Sequence, residues 1–304
     1  MLTMFLLTFL VFIFGTIIGS FLNVVIDRAD MKESPVKGYS FCDYCYKRLC
    51  WWELIPILSF FLLKGRCSSC KHKLSLQYPL VETVTGLFSI FLFWRFLRFP
   101  FMNFSLLQNI NLESLLIFFV LFIWLYWISV LIIISVYDFK KYLILNEVLV
   151  PAIIFSFIWK IILGFLVRKE SFYFLPYLNH FLGDKNFIFG YYSYEHAYFI
   201  SIFFGIIFAC GVISFLAWST RERAMGWGDA ILALFMGIIL GWPEILVALV
   251  IAFLSGGFVS LILLLFKKKT MKSYLPFAPF LSFGAMTVMC FGDIIIEKYL
   301  ALLF

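Results

Sequence analysis

The residues best placed to do chemistry are two aspartates, Asp138 and Asp229, each at the edge of a long apolar run. Asp138 follows Leu131-Ile132-Ile133-Ile134-Ser135-Val136-Tyr137. Asp229 closes Gly226-Trp227-Gly228-Asp229 and opens the next apolar stretch. An ionisable group at membrane depth is costly, so its presence calls for a function and a partner. Two such carboxylates facing one another can share a proton, because like charges a few ångströms apart do not both ionise. That is the minimal apparatus of an aspartic protease. Gly226 and Gly228 permit close backbone approach and unusual dihedrals beside the second acid. Each aspartate alone also has a plainer reading. Asp138 fits a helix-end carboxylate paired with Lys140 or Lys141, and Asp229 fits an N-cap at a membrane-surface turn. Their joint occurrence on one side of the membrane carries the argument.

A second constellation lies in residues 27–77, where Cys42-x-x-Cys45 is followed by Cys67-x-x-Cys70. Two such pairs about twenty-five residues apart match a four-thiolate zinc knuckle, with Cys42, Cys45, Cys67 and Cys70 as ligands. The ion replaces a hydrophobic core that so short a segment hardly provides. Two disulfides are the alternative, disfavoured in a reducing compartment. Cys50 is a rival ligand. Cys210 and Cys290 lie within apolar runs and read as small apolar residues.

The elements that position these groups are membrane spans. The chain of 304 residues is 64% hydrophobic and 13% charged, with a mean hydropathy of +1.03. Ordinary soluble domains are about half apolar and a quarter charged. Runs near 3–26, 78–98, 114–137, 145–167, 194–218, 229–242, 244–266 and 277–303 approach the roughly 20 residues a span requires. They are continuous rather than alternating, so they predict helices. The sixth is short, and Gly241-Trp242-Pro243-Glu244 after it reads as a turn. The expected fold is an all-α polytopic bundle of about eight spans with a small zinc-knuckle loop. Residues 1–20 lack a basic leader and a small-x-small cleavage site, and read as an uncleaved first span.

Loops 27–77, 138–144, 219–228 and 267–276 hold nine, two, two and four Lys or Arg, 17 of the 24 in the chain. The positive-inside rule places these loops in the cytoplasm and both termini outside, and brings Asp138 and Asp229 to cytoplasmic span ends. The net charge of +7 is accounted for in this way, and no nucleic-acid partner is expected. The aromatic external loop 168–193 shows no chemistry of its own.

Taken together the motifs resemble those of bacterial type IV prepilin peptidases, which are GxGD-type membrane aspartic proteases. The resemblance begins at Gly19-Ser20-Phe21-Leu22-Asn23-Val24-Val25-Ile26-Asp27-Arg28 and continues through the cysteine pairs, Ile55-Pro56-Ile57-Leu58-Ser59 and Gly65-Arg66-Cys67. It extends over Gln77-Tyr78-Pro79-Leu80-Val81-Glu82, the two aspartates and Pro276-Phe277-Ala278-Pro279-Phe280. Three positions depart from the family pattern. Leu145-Asn146 stands where Pro-Asp is usual, Ile231 replaces a Lys after the GxGD aspartate, and Ala278 replaces a Gly.

The resemblance implies Asp138 and Asp229 as the catalytic pair, with prepilins and pseudopilins as substrates in the inner membrane. It implies removal of a short basic leader after Gly, then N-methylation of the new terminus with S-adenosylmethionine. Asp27 and Glu82, acids at span ends flanking the zinc loop, are the candidates for methyl transfer. On this reading residues 1–100 form the methyl-transfer part and 101–304 the peptidase bundle. A proton-coupled transporter and a non-catalytic zinc-stabilised pilus assembly scaffold are the rival classes. A zinc metalloprotease is not expected, since four cysteines close the coordination sphere and no HExxH motif is present.

Overall fold

The computed structural model of the chain describes residues 2–31, 34, 37–98, 112–168, 194–222, 225–266 and 275–303. The external loop 168–193, apart from Arg168, and residues 267–274 of the fourth basic loop lie outside the described residues.

Each apolar run becomes a helix, because a backbone without water must satisfy its own hydrogen bonds. In chain order these are α1 (Leu2–Met31), a 3-10 turn (Trp51–Leu54), α2 (Leu58–Leu62), α3 (Gln77–Arg98) and α4 (Leu112–Lys141). They are followed by α5 (Asn146–Arg168), α6 (Tyr194–Ser219), α7 (Trp227–Leu240), α8 (Glu244–Leu265) and α9 (Ala278–Leu303). Five of them are long and apolar enough to cross a bilayer, within α1, α4, α5, α6 and α8. α7 and the Ala278–Gly292 part of α9 are shorter apolar helices. The expected count of about eight spans therefore exceeds the five that meet this criterion among the described residues. α1 outruns its expected end, so Asp27 and Arg28 are still helical.

The chain divides into two compact units, Met1–Ile133 and Ile134–Phe304, with the boundary inside α4. In the first, α1 packs on α3. Gly15 and Gly19 are four residues apart on α1, the small-xxx-small spacing that lets helix backbones approach closely. A methyl group at Gly19 would stand 2.7 Å from the Glu82 Cα, and one at Gly86 would stand 2.9 Å from the Thr16 methyl.

In the second unit α7 is central and packs on α5, α6, α8 and α9. Its 14 residues rise about 21 Å, short of the ~30 Å hydrocarbon thickness. Leu232, Phe235, Met236 and Ile238 are buried, so this short helix is shielded by protein. Its far end is closed by α6: the Trp242 N–H donates to the Ser201 carbonyl at 3.0 Å, and the Ser201 hydroxyl donates to the Trp242 carbonyl at 2.7 Å. These bonds satisfy backbone groups at a helix break near membrane depth.

Backbone contact at glycines fixes α7 against α6. A methyl group at Gly237 would meet the Gly205 carbonyl oxygen at 2.7 Å, and one at Gly205 would meet the Gly241 Cα at 2.8 Å. Neither neighbour is a flexible side chain. Gly237→Val is therefore expected to destabilise the second unit by about 1–3 kcal/mol, the usual cost of overpacking. Thermal unfolding in detergent checks this, and an unchanged midpoint would refute the close crossing.

Candidate active site and metal centre

Asp138 sits in the last turn of α4 and is 6% exposed. One of its carboxylate oxygens, Oδ2, accepts the backbone N–H of Ala278 at 3.2 Å. Ala278 is the first residue of α9, where N–H groups have no intrahelical acceptor and the helix dipole favours an anion.

Asp229 is the third residue of α7, and Gly226 is the N-cap. The Asp229 Oδ2 accepts the Gly226 N–H at 3.2 Å. The aspartate is thus not the N-cap itself but the side chain that reaches back to it. Gly226 has ordinary extended dihedrals, φ −85° and ψ 159°, so the expectation of an unusual conformation there is corrected. Gly228 does serve close approach, since a methyl group on it would lie 3.1 Å from the Ile144 side chain. Two helix starts, those of α7 and α9, therefore hold the two carboxylates. α7 and α9 pack on one another within the second unit.

The cysteine pairs form a second centre within the first unit. The Sγ atoms of Cys42, Cys45, Cys67 and Cys70 all lie within 4.8 Å of one another. Two approaches cross between pairs, Cys42 to Cys70 at 3.8 Å and Cys45 to Cys67 at 4.0 Å. Zinc–sulfur bonds of about 2.3 Å in a tetrahedron put neighbouring sulfurs about 3.8 Å apart. A disulfide needs sulfurs at about 2.05 Å, and all four cysteines are free. The cluster can hold a metal ion, and its donor set and spacing fit zinc. Cys50 is not among the clustered thiols. Its backbone N–H donates instead to Glu53 Oε2 at 2.7 Å.

Local backbone structure explains why the ligands converge. In the first knuckle Cys42 N–H donates to the Lys47 carbonyl, and Tyr46 takes a positive φ of 55°. In the second Cys67 N–H donates to the His72 carbonyl, and Lys71 takes 56°. Antiparallel bridges Phe41–Arg48 and Arg66–Lys73 close the two turns. The same hairpin is thus built twice, although the residues between the cysteines differ. Backbone N–H groups of Cys70 and Ser69 pull the Cys67 thiol down to about 6, against an ordinary 9.0. Because a thiolate is the ligand form, bound metal is expected to be released as the pH falls and protons compete for the sulfurs. Metal release followed with a chromogenic chelator across pH 5–8 measures this, and retention independent of pH would refute it.

The chain matches two family models, the bacterial peptidase A24 N-terminal domain over residues 13–96 and the type IV leader peptidase family over residues 125–261. It is 29% identical to the prepilin leader peptidase/N-methyltransferase of Bacillus subtilis, over 96% of this chain and 97% of that one. It is 26% identical to the protein of the same name from Pseudomonas putida, over 96% and 93%. A Myxococcus xanthus protein of that name is 29% identical over 84% and 62%. The chain belongs to the type IV leader peptidase family. No solved structure matches it.

Within the N-terminal part of this family member, the sequence pointed to Asp27 and Glu82 but not to the polar groups that hold them where α1 meets α3. The Asn23 amide donates to the Tyr78 carbonyl at 3.2 Å and accepts from the Gln77 amide at 3.1 Å. The Tyr78 hydroxyl donates to Asp27 at 3.0 Å. Arg28, buried, donates to the carbonyls of Ser34, Lys37 and Tyr39. Glu82 Oε2 accepts the Ile57 N–H at 2.7 Å. The available signal was periodicity: Ser20, Asn23 and Asp27 recur at helical spacing on α1. Ala278, read from sequence only as a departure from the family pattern, turns out to donate to Asp138. Its contribution is a backbone N–H, which no residue type announces.

Proposed function

We propose that this protein is a membrane aspartic endopeptidase that removes the short basic leader of type IV prepilins and pseudopilins, cutting after glycine at the cytoplasmic membrane face. The observation that carries this reading is that two acids of the second unit, Asp138 and Asp229, are each held by a backbone N–H at a helix start. Membership of a leader peptidase family supports it.

One carboxylate is charged and the other protonated, and the pair titrates as a unit. The charged member takes a proton from a trapped water as the water oxygen bonds to the scissile carbonyl carbon. The neutral member gives its proton to the carbonyl oxygen. Collapse of the tetrahedral intermediate returns that oxygen's proton to the aspartate that gave it. The other aspartate passes its proton to the departing nitrogen as the C–N bond breaks. The Ala278 N–H steadies the charged form of Asp138. Active sites at cytoplasmic span ends suit a substrate whose basic leader stays in water while its apolar helix lies in the bilayer.

Ala278→Pro removes that N–H while keeping a residue suited to the first helical position. Loss of one hydrogen bond to a charged group, about 1.5 kcal/mol, predicts leader cleavage slowed about tenfold with the fold retained. An unchanged rate would show that the contact plays no part in catalysis.

Zinc in the four-cysteine cluster is structural on this reading. The relatives' names add N-methylation, for which S-adenosylmethionine would supply the methyl group. Asp27 fits the positive charge of such a ligand, and the Tyr78 hydroxyl orients its carboxylate. Glu82 acts as a positioning residue through Ile57. Residues 1–100 hold this second activity and 101–304 the first. The protein sits in the inner membrane with its termini outside. Purified protein with a prepilin in detergent, its products weighed by mass spectrometry, tests both activities. Loss of the leader mass reports cleavage, and one further methyl mass with the cofactor reports methylation. An intact prepilin would reject the peptidase.

A further inference from the structure

The segment between the two knuckles presents a surface unlike that of a water-soluble loop. Trp51 is 79% exposed, Phe61 68% and Leu62 73%, and Trp52, Leu54 and Leu58 are exposed as well. A contiguous run of such side chains in water is an aggregation hazard or an interaction site. Between residues 38 and 76 only Cys42, Glu53 and Cys67 are buried, so these apolar groups do not form a core for the loop.

Two further observations say what covers them. The first is depth. Glu82 lies five residues into α3, about 8 Å beyond its first residue, and its backbone stands against Gly19, inside the apolar span of α1. By accepting the Ile57 N–H, Glu82 draws the middle of the loop back beside the start of the spans. There the chain makes a tight γ-turn, with the Leu58 N–H donating to the Pro56 carbonyl at 2.6 Å and Ile57 at φ 64°, ψ −55°. A β-branched residue enters that region only when its surroundings enforce it. The turn reverses the chain at this depth, and α2 begins on the next residue.

The second observation is charge. Residues 47–73 carry six Lys or Arg and a single acid, Glu53. Lys64 and Arg66, just beyond α2, are both exposed. Tryptophan and phenylalanine beside cations are the composition of a surface that rests in the headgroup layer of an anionic membrane.

We propose that Trp51–Leu62 is an interfacial membrane anchor: its tryptophans and the exposed face of α2 enter the headgroup layer of an anionic bilayer, the Glu82–Ile57 hydrogen bond holds it at that depth, and Lys64 and Arg66 meet the lipid phosphates. The anchor fixes the zinc loop against the membrane rather than leaving it free in the cytoplasm.

The test uses the full chain in vesicles of phosphatidylethanolamine and phosphatidylglycerol. The photoreactive residue p-benzoylphenylalanine replaces Trp51, Phe61 or, as a reference on the exposed face of α1, Leu10. After irradiation, peptide masses report what each site touched. Phospholipid adducts at positions 51 and 61, in yields comparable to position 10, are the expected result. Crosslinks from 51 and 61 only to protein, to an added prepilin or to a second copy of the chain, while position 10 takes lipid, would overturn the anchor. In the Glu82→Ala background the adduct at 51 is expected to fall several-fold with position 10 and the bound zinc unchanged. Equal yields there would overturn the role given to Glu82.

Discussion

Replacing either aspartate by asparagine is expected to abolish leader removal while leaving the fold in place. Asparagine has the shape of aspartate, and its carbonyl oxygen can still accept the N–H of Gly226 or Ala278 that each carboxylate now accepts. What it loses is the proton. At position 138 or 229 it can neither take one from water nor deliver one to the substrate. Positioned acid–base groups contribute about 10²–10⁴ each, and here both roles pass through a single pair. Asp138→Asn and Asp229→Asn are therefore each expected to slow cleavage by about 10³ or more. The double variant should be no slower than either single one, because groups that work as a unit are not additive. Single-turnover cleavage of a prepilin by purified variants measures this, with thermal unfolding confirming the fold. A transporter or a scaffold would not remove the leader even as the unaltered protein. Cleavage within tenfold of the unaltered protein in either single variant would remove the pair from the mechanism.

How much of this was legible in the residues depends on which physical property carried each feature. The helices were, because a continuous apolar run has one stable backbone solution in lipid. The four-cysteine centre was too, because the x-x spacing is itself a turn. Span number was less so: α7 has only 14 residues, and burial by four neighbouring helices, a tertiary fact, explains why a helix of that length is stable. The proposed catalytic constellation was half legible. Asp138 and Asp229 stand out as acids in apolar surroundings, but the residue completing the site is an alanine acting through its amide. Ala278 stands where the family usually has glycine, and an N–H donor survives that change. Gly226 illustrates the opposite error. Its residue type permitted unusual dihedrals, whereas those it adopts are those of an ordinary N-cap. The α1–α3 contact was hidden because Gly15 and Gly19 read as neutral members of an apolar run until the partner helix is known.

Removing the metal should cost the zinc loop its structure and leave most of the peptidase standing. A domain normally survives the loss of one interaction because a hydrophobic core remains. Here two of the three buried residues between 38 and 76 are Cys42 and Cys67, themselves ligands, and the third is Glu53. Besides the cysteines, an exposed Lys47–Ser68 hydrogen bond and the Tyr44–His72 ring stack join the knuckles, but neither supplies a buried core, and structural zinc sites of this type contribute about 10–16 kcal/mol in apparent binding energy. Cys42→Ser with Cys67→Ser is therefore expected to bring bound zinc to background. Limited proteolysis should then cut freely between residues 38 and 76. Methyl transfer, assigned to the same unit, should be lost with it. Cleavage should fall by less than about tenfold, because Asp138, Asp229, Gly226 and Ala278 all belong to residues 134–304. Metal content by atomic absorption, protease mapping and the two product masses read these outcomes separately. A doubly substituted protein whose loop stays resistant to protease without zinc would mean that packing, not the ion, holds it. Cleavage lost in full alongside zinc would mean that the two units cannot be assigned separate chemistries.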